Sequence, residues 1–201
     1  MNFCQRILWL PLVLVALLVS PALAGGADEL AQENGVLENT QVALLLLSGL
    51  VFVVQSFRVE RNLRFILWMG AWLSPSIILR ELDIEKLAVP QWVVAIGSGM
   101  GRNLIMAAGW SALGVLAIKS YPELKGSFAR IARSRMAIFM FFAGILLLLG
   151  SLFDHETVVA DQGMFWEEAF ETIAYFLLLP AALFSRLISK GQAVDTLVAE
   201  A

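Results

Sequence analysis

Acidic side chains at helical spacing are the feature of this sequence that could do chemistry. Glu168, Glu171, Thr172 and Tyr175 follow one another at intervals of three, one and three residues, which places them on one face of an α-helix. Carboxylates that lie close together repel one another, and such groups take up protons or bind a cation. We therefore treat Glu168 and Glu171 as candidate general bases and as candidate metal ligands.

Other segments contribute groups of complementary chemistry. Asp154 and His155 are adjacent, and His155 is the only histidine. We interpret His155 as a candidate proton carrier and Asp154 as a third candidate metal ligand, because a hard divalent cation prefers oxygen ligands. A zinc site is not expected, because the only cysteine, Cys4, lies in a segment that we expect to be removed, and no other cofactor is predicted. The candidate ligand-binding residues are Arg80, Glu81, Arg102, Asn103, Asp154 and Tyr175.

The composition indicates where these groups must be held. Of the 201 residues 59% are hydrophobic and 15% are charged, whereas soluble proteins have about 25% charged residues. The apolar residues form long runs, which predicts membrane-spanning helices and not the alternating strands of a barrel. The formal charge of -3 lacks the basic surface that a nucleic-acid partner requires. We expect an all-α integral membrane protein.

The N-terminus has the pattern of a cleavable signal sequence over residues 1–24. Arg6 precedes an apolar stretch, and Ala22-Leu23-Ala24 forms a small-residue cleavage site before Gly25. An uncleaved signal anchor is the alternative. Residues 25–40 contain four acidic and no basic residues, and we interpret them as a periplasmic lead-in.

The segment 41–190 contains the five apolar runs of a five-helix transmembrane bundle, and 191–201 is a cytoplasmic tail. The expected spans are 41–57, 65–79, 91–118, 136–153 and 169–185. Ten basic residues fall at the ends that this order makes cytoplasmic, and three fall outside. We therefore predict a bacterial inner-membrane protein with a periplasmic mature N-terminus and a cytoplasmic C-terminus.

Helical rise brings the candidate groups to one depth in the membrane. The distance along the helix axis is about 24 Å from Arg64 to Arg80, about 26 Å from Lys119 to Arg102, about 28 Å from Arg135 to Asp154, and about 22 Å from Arg186 to Glu171. Two interpretations stay open. This layer of charged groups is either an ion-pair network that holds the helix ends in register or a binding site. It contains five acidic residues and two arginines, and this excess of acidic residues favours a binding site.

The basic link before the fourth run has two interpretations as well. Its charges either contact anionic lipid or only set the topology. The residues concerned are Lys125, Arg130, Arg133 and Arg135.

Gly97 and Gly101 in the third run predict close packing of a membrane helix. The alternative is that these glycines unwind the helix and expose backbone amides to an anion beside Arg102.

The leading hypothesis is an accessory or ligand-binding module whose outward-facing acidic cavity binds a cation or a polar headgroup. One alternative is a membrane hydrolase or transferase acting on an envelope lipid, with Glu168 or Glu171 as base, His155 as proton carrier and Arg102 on a phosphate. Another is a small oligomeric proton- or cation-coupled transporter. The bilayer is the expected partner, a protein partner or a second copy is compatible with the sequence, and the pattern does not decide whether the chain is an enzyme.

Overall fold

The computed structural model describes residues 35–82, 84–86, 88–154 and 163–186. The predicted signal sequence, most of the predicted lead-in, His155 and the predicted C-terminal tail lie outside the described residues. The backbone of Glu81 and of Asp154 is described, but their side chains are not.

All regular elements in the described ranges are helices, which confirms the all-α class for that part of the chain. The elements in chain order are α1 (Val36–Ser56), α2 (Arg61–Glu81), a short 3-10 helix (Ile84–Lys86), α3 (Gln91–Gly97), α4 (Gly99–Lys125), α5 (Phe128–Ala132), α6 (Arg135–Asp154) and α7 (Gly163–Phe184).

Three segments are long and apolar enough to cross a membrane, and this is compatible with a membrane protein. They are Val36–Ser56 in α1, Gly99–Pro122 in α4 and Arg135–Phe153 in α6. A helix of 21 residues such as α1 is about 31 Å long, which matches the hydrocarbon thickness. α2 and α7 are similar in length, at 21 and 22 residues, but both contain charged residues.

The predicted third span is interrupted, so a single helix over 91–118 is wrong. Ser98 has extended backbone angles, φ -122° and ψ 165°, and Gly99 has φ +49°. The positive φ at Gly99 is accessible to glycine at little cost, and the Ser98 hydroxyl donates to the Val94 carbonyl at 2.8 Å. A Cβ on Gly101 would overlap the Ala95 carbonyl oxygen, so the close approach at this glycine is to the preceding turn.

α1 buries polar side chains alongside the apolar Leu45 and Phe52, and it exposes other large apolar side chains. Gln41, Ser48 and Gln55 recur every seven residues, and all three are buried. Large apolar side chains of the same helix are exposed, namely Leu46, Leu47, Leu50 and Val54. Polar groups inside and apolar groups outside is the arrangement that a hydrocarbon solvent favours.

The chain divides into two compact units. Unit 1 comprises residues 1–44 and 135–181, and unit 2 comprises residues 45–134 and 182–201. In unit 1 the rings of Phe153 and Phe170 stack with centroids 5.7 Å apart, which joins α6 to α7.

In unit 2 small residues let helices approach closely. A Cβ on Gly49 of α1 would lie 3.0 Å from the Ser74 Cβ of α2, and a Cβ on Gly109 of α4 would overlap the indole of Trp72 in α2. The contacts of α1 and α4 with α2 therefore depend on glycines, which have no side chain to hold the helices apart.

Candidate functional site

The acidic stripe predicted from sequence lies on one helix, α7. Glu171 is buried with 7% of its surface exposed, Thr172 and Tyr175 are buried, and Glu168 is half-buried. The intervals of three, one and three residues place the four side chains on one face. α7 therefore turns its polar stripe toward the protein.

Gln41 of α1 meets this stripe, and the sequence reasoning did not identify it. Its side chain is 2% exposed. The amide Nε2 donates to the Glu168 carboxylate Oε2 at 2.7 Å, to the Glu168 carbonyl oxygen at 3.1 Å and to the Thr172 hydroxyl at 3.2 Å. The two N–H bonds of the Gln41 amide are therefore shared among three acceptors. The recurrence of Gln41, Ser48 and Gln55 in an apolar run is the signal that could have indicated a buried polar face.

The bond from Gln41 has a chemical consequence for Glu168. An N–H that donates to a carboxylate stabilises its ionised form, and such charge-assisted bonds are about twice as strong as neutral ones. Gln41 also fixes the position of Oε2. An oxygen held in place on a buried helix face is suited to bind a cation or to accept a proton.

α6 packs against α7 beside Glu171. A Cβ on Gly150 would lie 3.6 Å from the Glu171 Cγ and 3.5 Å from the Glu167 carbonyl oxygen, so the stem of Glu171 packs where α6 has no side chain. The backbone position of Asp154 is four residues later, on the same face of α6. Asp154, Glu168 and Glu171, the three candidate metal ligands, therefore all belong to unit 1.

The described side chains contain no group of three or more His, Cys, Asp or Glu residues that could hold a metal ion. The side chain of Asp154 and the whole of His155 lie outside the described residues, so the metal set that includes Asp154 stays a prediction. The same holds for His155 as a proton carrier.

The remaining candidate residues belong to unit 2. Arg102, in the first turn of α4, donates from Nη1 to the Leu79 carbonyl oxygen at 3.2 Å. A guanidinium at the C-terminal end of α2 satisfies a carbonyl that has no partner within its helix and complements the helix dipole. Arg80 and Asn103 are exposed. That these residues form one charged layer with the acidic residues of unit 1 stays a prediction.

Comparison with known protein families, with curated proteins and with solved structures finds no match to this chain.

Proposed function

We propose that this chain is a multi-pass membrane protein of the bacterial inner membrane that binds a cation or a polar headgroup at the carboxylates of unit 1. The observation that carries the proposal is the buried contact between α1 and α7, in which Gln41 holds the Glu168 carboxylate beside buried Glu171.

The distribution of charge in unit 1 supports a cationic ligand. Asp154, Glu167, Glu168 and Glu171 lie toward one end of α6 and α7. Within the described part of unit 1 the only basic residue is Arg135, which begins α6 about 28 Å along the axis from Asp154. A buried carboxylate is costly unless a donor, a proton or a cation compensates it. The excess of acidic over basic residues in the described part of unit 1 favours a cationic ligand over an anionic one.

Substitution of the two central carboxylates tests the proposal. Glu168→Gln and Glu171→Gln keep the shape of each side chain and remove its charge, and each is expected to weaken cation binding at least about tenfold. The matched control is Glu85→Gln, at an exposed residue of the 3-10 helix in unit 2. The measurement is calorimetric titration of the purified protein with Mg²⁺, Ca²⁺ and a primary ammonium ion, after chelator treatment.

Two outcomes would reject the site. Variants that bind all three cations as the unaltered protein does, or variants that only melt at lower temperature, would show that the carboxylates hold helices together and bind no ligand.

The five-span topology and the cleavable signal sequence are part of the same proposal. α2 and α7 would be the two spans added to the three most apolar ones, and their charges would sit at the membrane boundaries. In a Cys4→Ser background, Glu85→Cys is expected to react with an impermeant maleimide in whole spheroplasts, and Ala129→Cys only after lysis. The opposite labelling pattern would invert the topology, and a mature chain that does not begin at Gly25 would contradict the cleavage.

A further inference from the structure

A groove of about 450 Å³ lies in unit 2, within the size range of about 300–1,000 Å³ that is typical of ligand pockets. α2 and α5 each contribute one phenylalanine, and the last turns of α4 contribute the other side chains. The lining residues are Phe65, Ala117, Tyr121, Leu124, Lys125 and Phe128.

The walls of the groove are aromatic and face outward. Tyr121 and Phe128 are 63% and 71% exposed, whereas Leu124 is buried and forms the floor. The apolar segment of α4 ends at Pro122, one residue after Tyr121. Aromatic side chains at the end of a span are typical of the boundary between hydrocarbon and headgroups. The groove is therefore placed to contact both parts of a lipid.

Basic residues lie in and next to the segments that line the groove, together with the acidic residues Glu60 and Glu123. Lys125 is its one charged lining residue, and Arg61 and Arg64 lie in the first turn of α2, just before Phe65. Arg64 has a buried Nε–H with no hydrogen-bond acceptor among the described residues. By the positive-inside pattern this end of unit 2 faces the cytoplasmic leaflet, where anionic lipids attract basic residues.

We propose that this groove binds one anionic phospholipid, with an acyl chain against Phe65, Tyr121 and Phe128 and the phosphate at Lys125. The apolar walls alone would accept any acyl chain or an apolar peptide. Lys125 in the lining and the basic first turn of α2 next to Phe65, at the predicted membrane boundary, favour a lipid with a net negative headgroup. The groove shares no residue with the carboxylates of unit 1, for which a cationic ligand is proposed.

The test measures lipid binding to the whole protein, purified in mild detergent, by native mass spectrometry. Dioleoyl phosphatidylglycerol and dioleoyl phosphatidylcholine are titrated in parallel, because they share acyl chains and differ in net charge. We expect tighter binding of phosphatidylglycerol. Lys125→Gln should weaken that binding about fivefold and leave phosphatidylcholine unchanged, whereas Phe128→Ala should weaken both lipids by a factor of about three to ten.

Two control variants isolate the groove. Lys119→Gln removes an equivalent charge from the same helix outside the lining, and Phe141→Ala removes a phenylalanine of α6 that is similarly exposed, at 64%. Neither should change lipid binding, and circular dichroism should show equal helix content in all variants. Equal binding of the two lipids, equal losses in the Lys119 and Lys125 variants, or a co-purifying polypeptide released by Phe128→Ala would overturn the proposal.

Discussion

Replacement of Gln41 by leucine removes the amide that joins α1 to α7 while keeping a side chain of similar size. The substitution takes from Glu168 a donor at 2.7 Å and from Thr172 a donor at 3.2 Å. Loss of a hydrogen bond to a charged group costs about 1.5–3 kcal/mol. Because Glu168 is half-buried, water replaces part of the lost donor, and we expect destabilisation near the lower limit, about 1.5–2 kcal/mol.

The assay is thermal unfolding of the purified protein in detergent, followed by circular dichroism. A loss of this size should lower the melting temperature by roughly 3–8 °C in a protein of this length. Asn39→Leu is the matched control, since it also replaces an amide on α1. The Asn39 amide donates to the Gly35 carbonyl of the preceding turn and is exposed to solvent, so its removal should change the melting temperature far less.

A double-mutant cycle separates the Gln41 contact from general damage. With Gln41→Leu and Glu168→Gln combined, the two losses should fall short of additivity by about 1 kcal/mol, because Glu168→Gln turns the charge-assisted bond from Gln41 into a weaker neutral one and Gln41→Leu removes that bond. Additive losses, or a Gln41→Leu variant as stable as Asn39→Leu, would refute the reasoning.

Glycine substitutions in α4 should have opposite effects at two positions, each read from the melting temperature. Gly101→Ala should destabilise the protein by about 1–3 kcal/mol, because its Cβ would overlap the backbone oxygen of Ala95, which cannot rotate away as a side chain can. Gly114→Ala should stabilise it by about 0.5–1 kcal/mol, because a Cβ there meets nothing within 4 Å and alanine favours the helix. Equal effects at both positions would contradict the packing described for Gly101.

The helices of this protein were largely predictable because their signals are local. The apolar run 136–153 predicts α6 to within one residue at each end. Over α7 the prediction began at residue 169, six residues late, because Glu167 and Glu168 read as the boundary of an apolar run. A charged residue ends an apolar pattern without ending a helix, so the apolar run placed the start of this helix too late.

The break at Ser98 shows the opposite error. Residues 91–118 have the composition of one span, and the glycines alone are compatible with either close packing or unwinding. The positive φ of Gly99 settles the backbone path in favour of interruption. Backbone angles at such a glycine depend on what surrounds it, and composition does not record those surroundings.

The sequence by itself determined that the chain is helical and apolar and that Glu168, Glu171, Thr172 and Tyr175 share a helix face, because hydropathy and helical period are properties of neighbouring residues. Only the tertiary structure brought Gln41 to that face, across 127 residues of chain, and joined Phe65 to Phe128 around one groove. Packing of separate helices selects these partners, since many different pairs of faces satisfy the same local pattern.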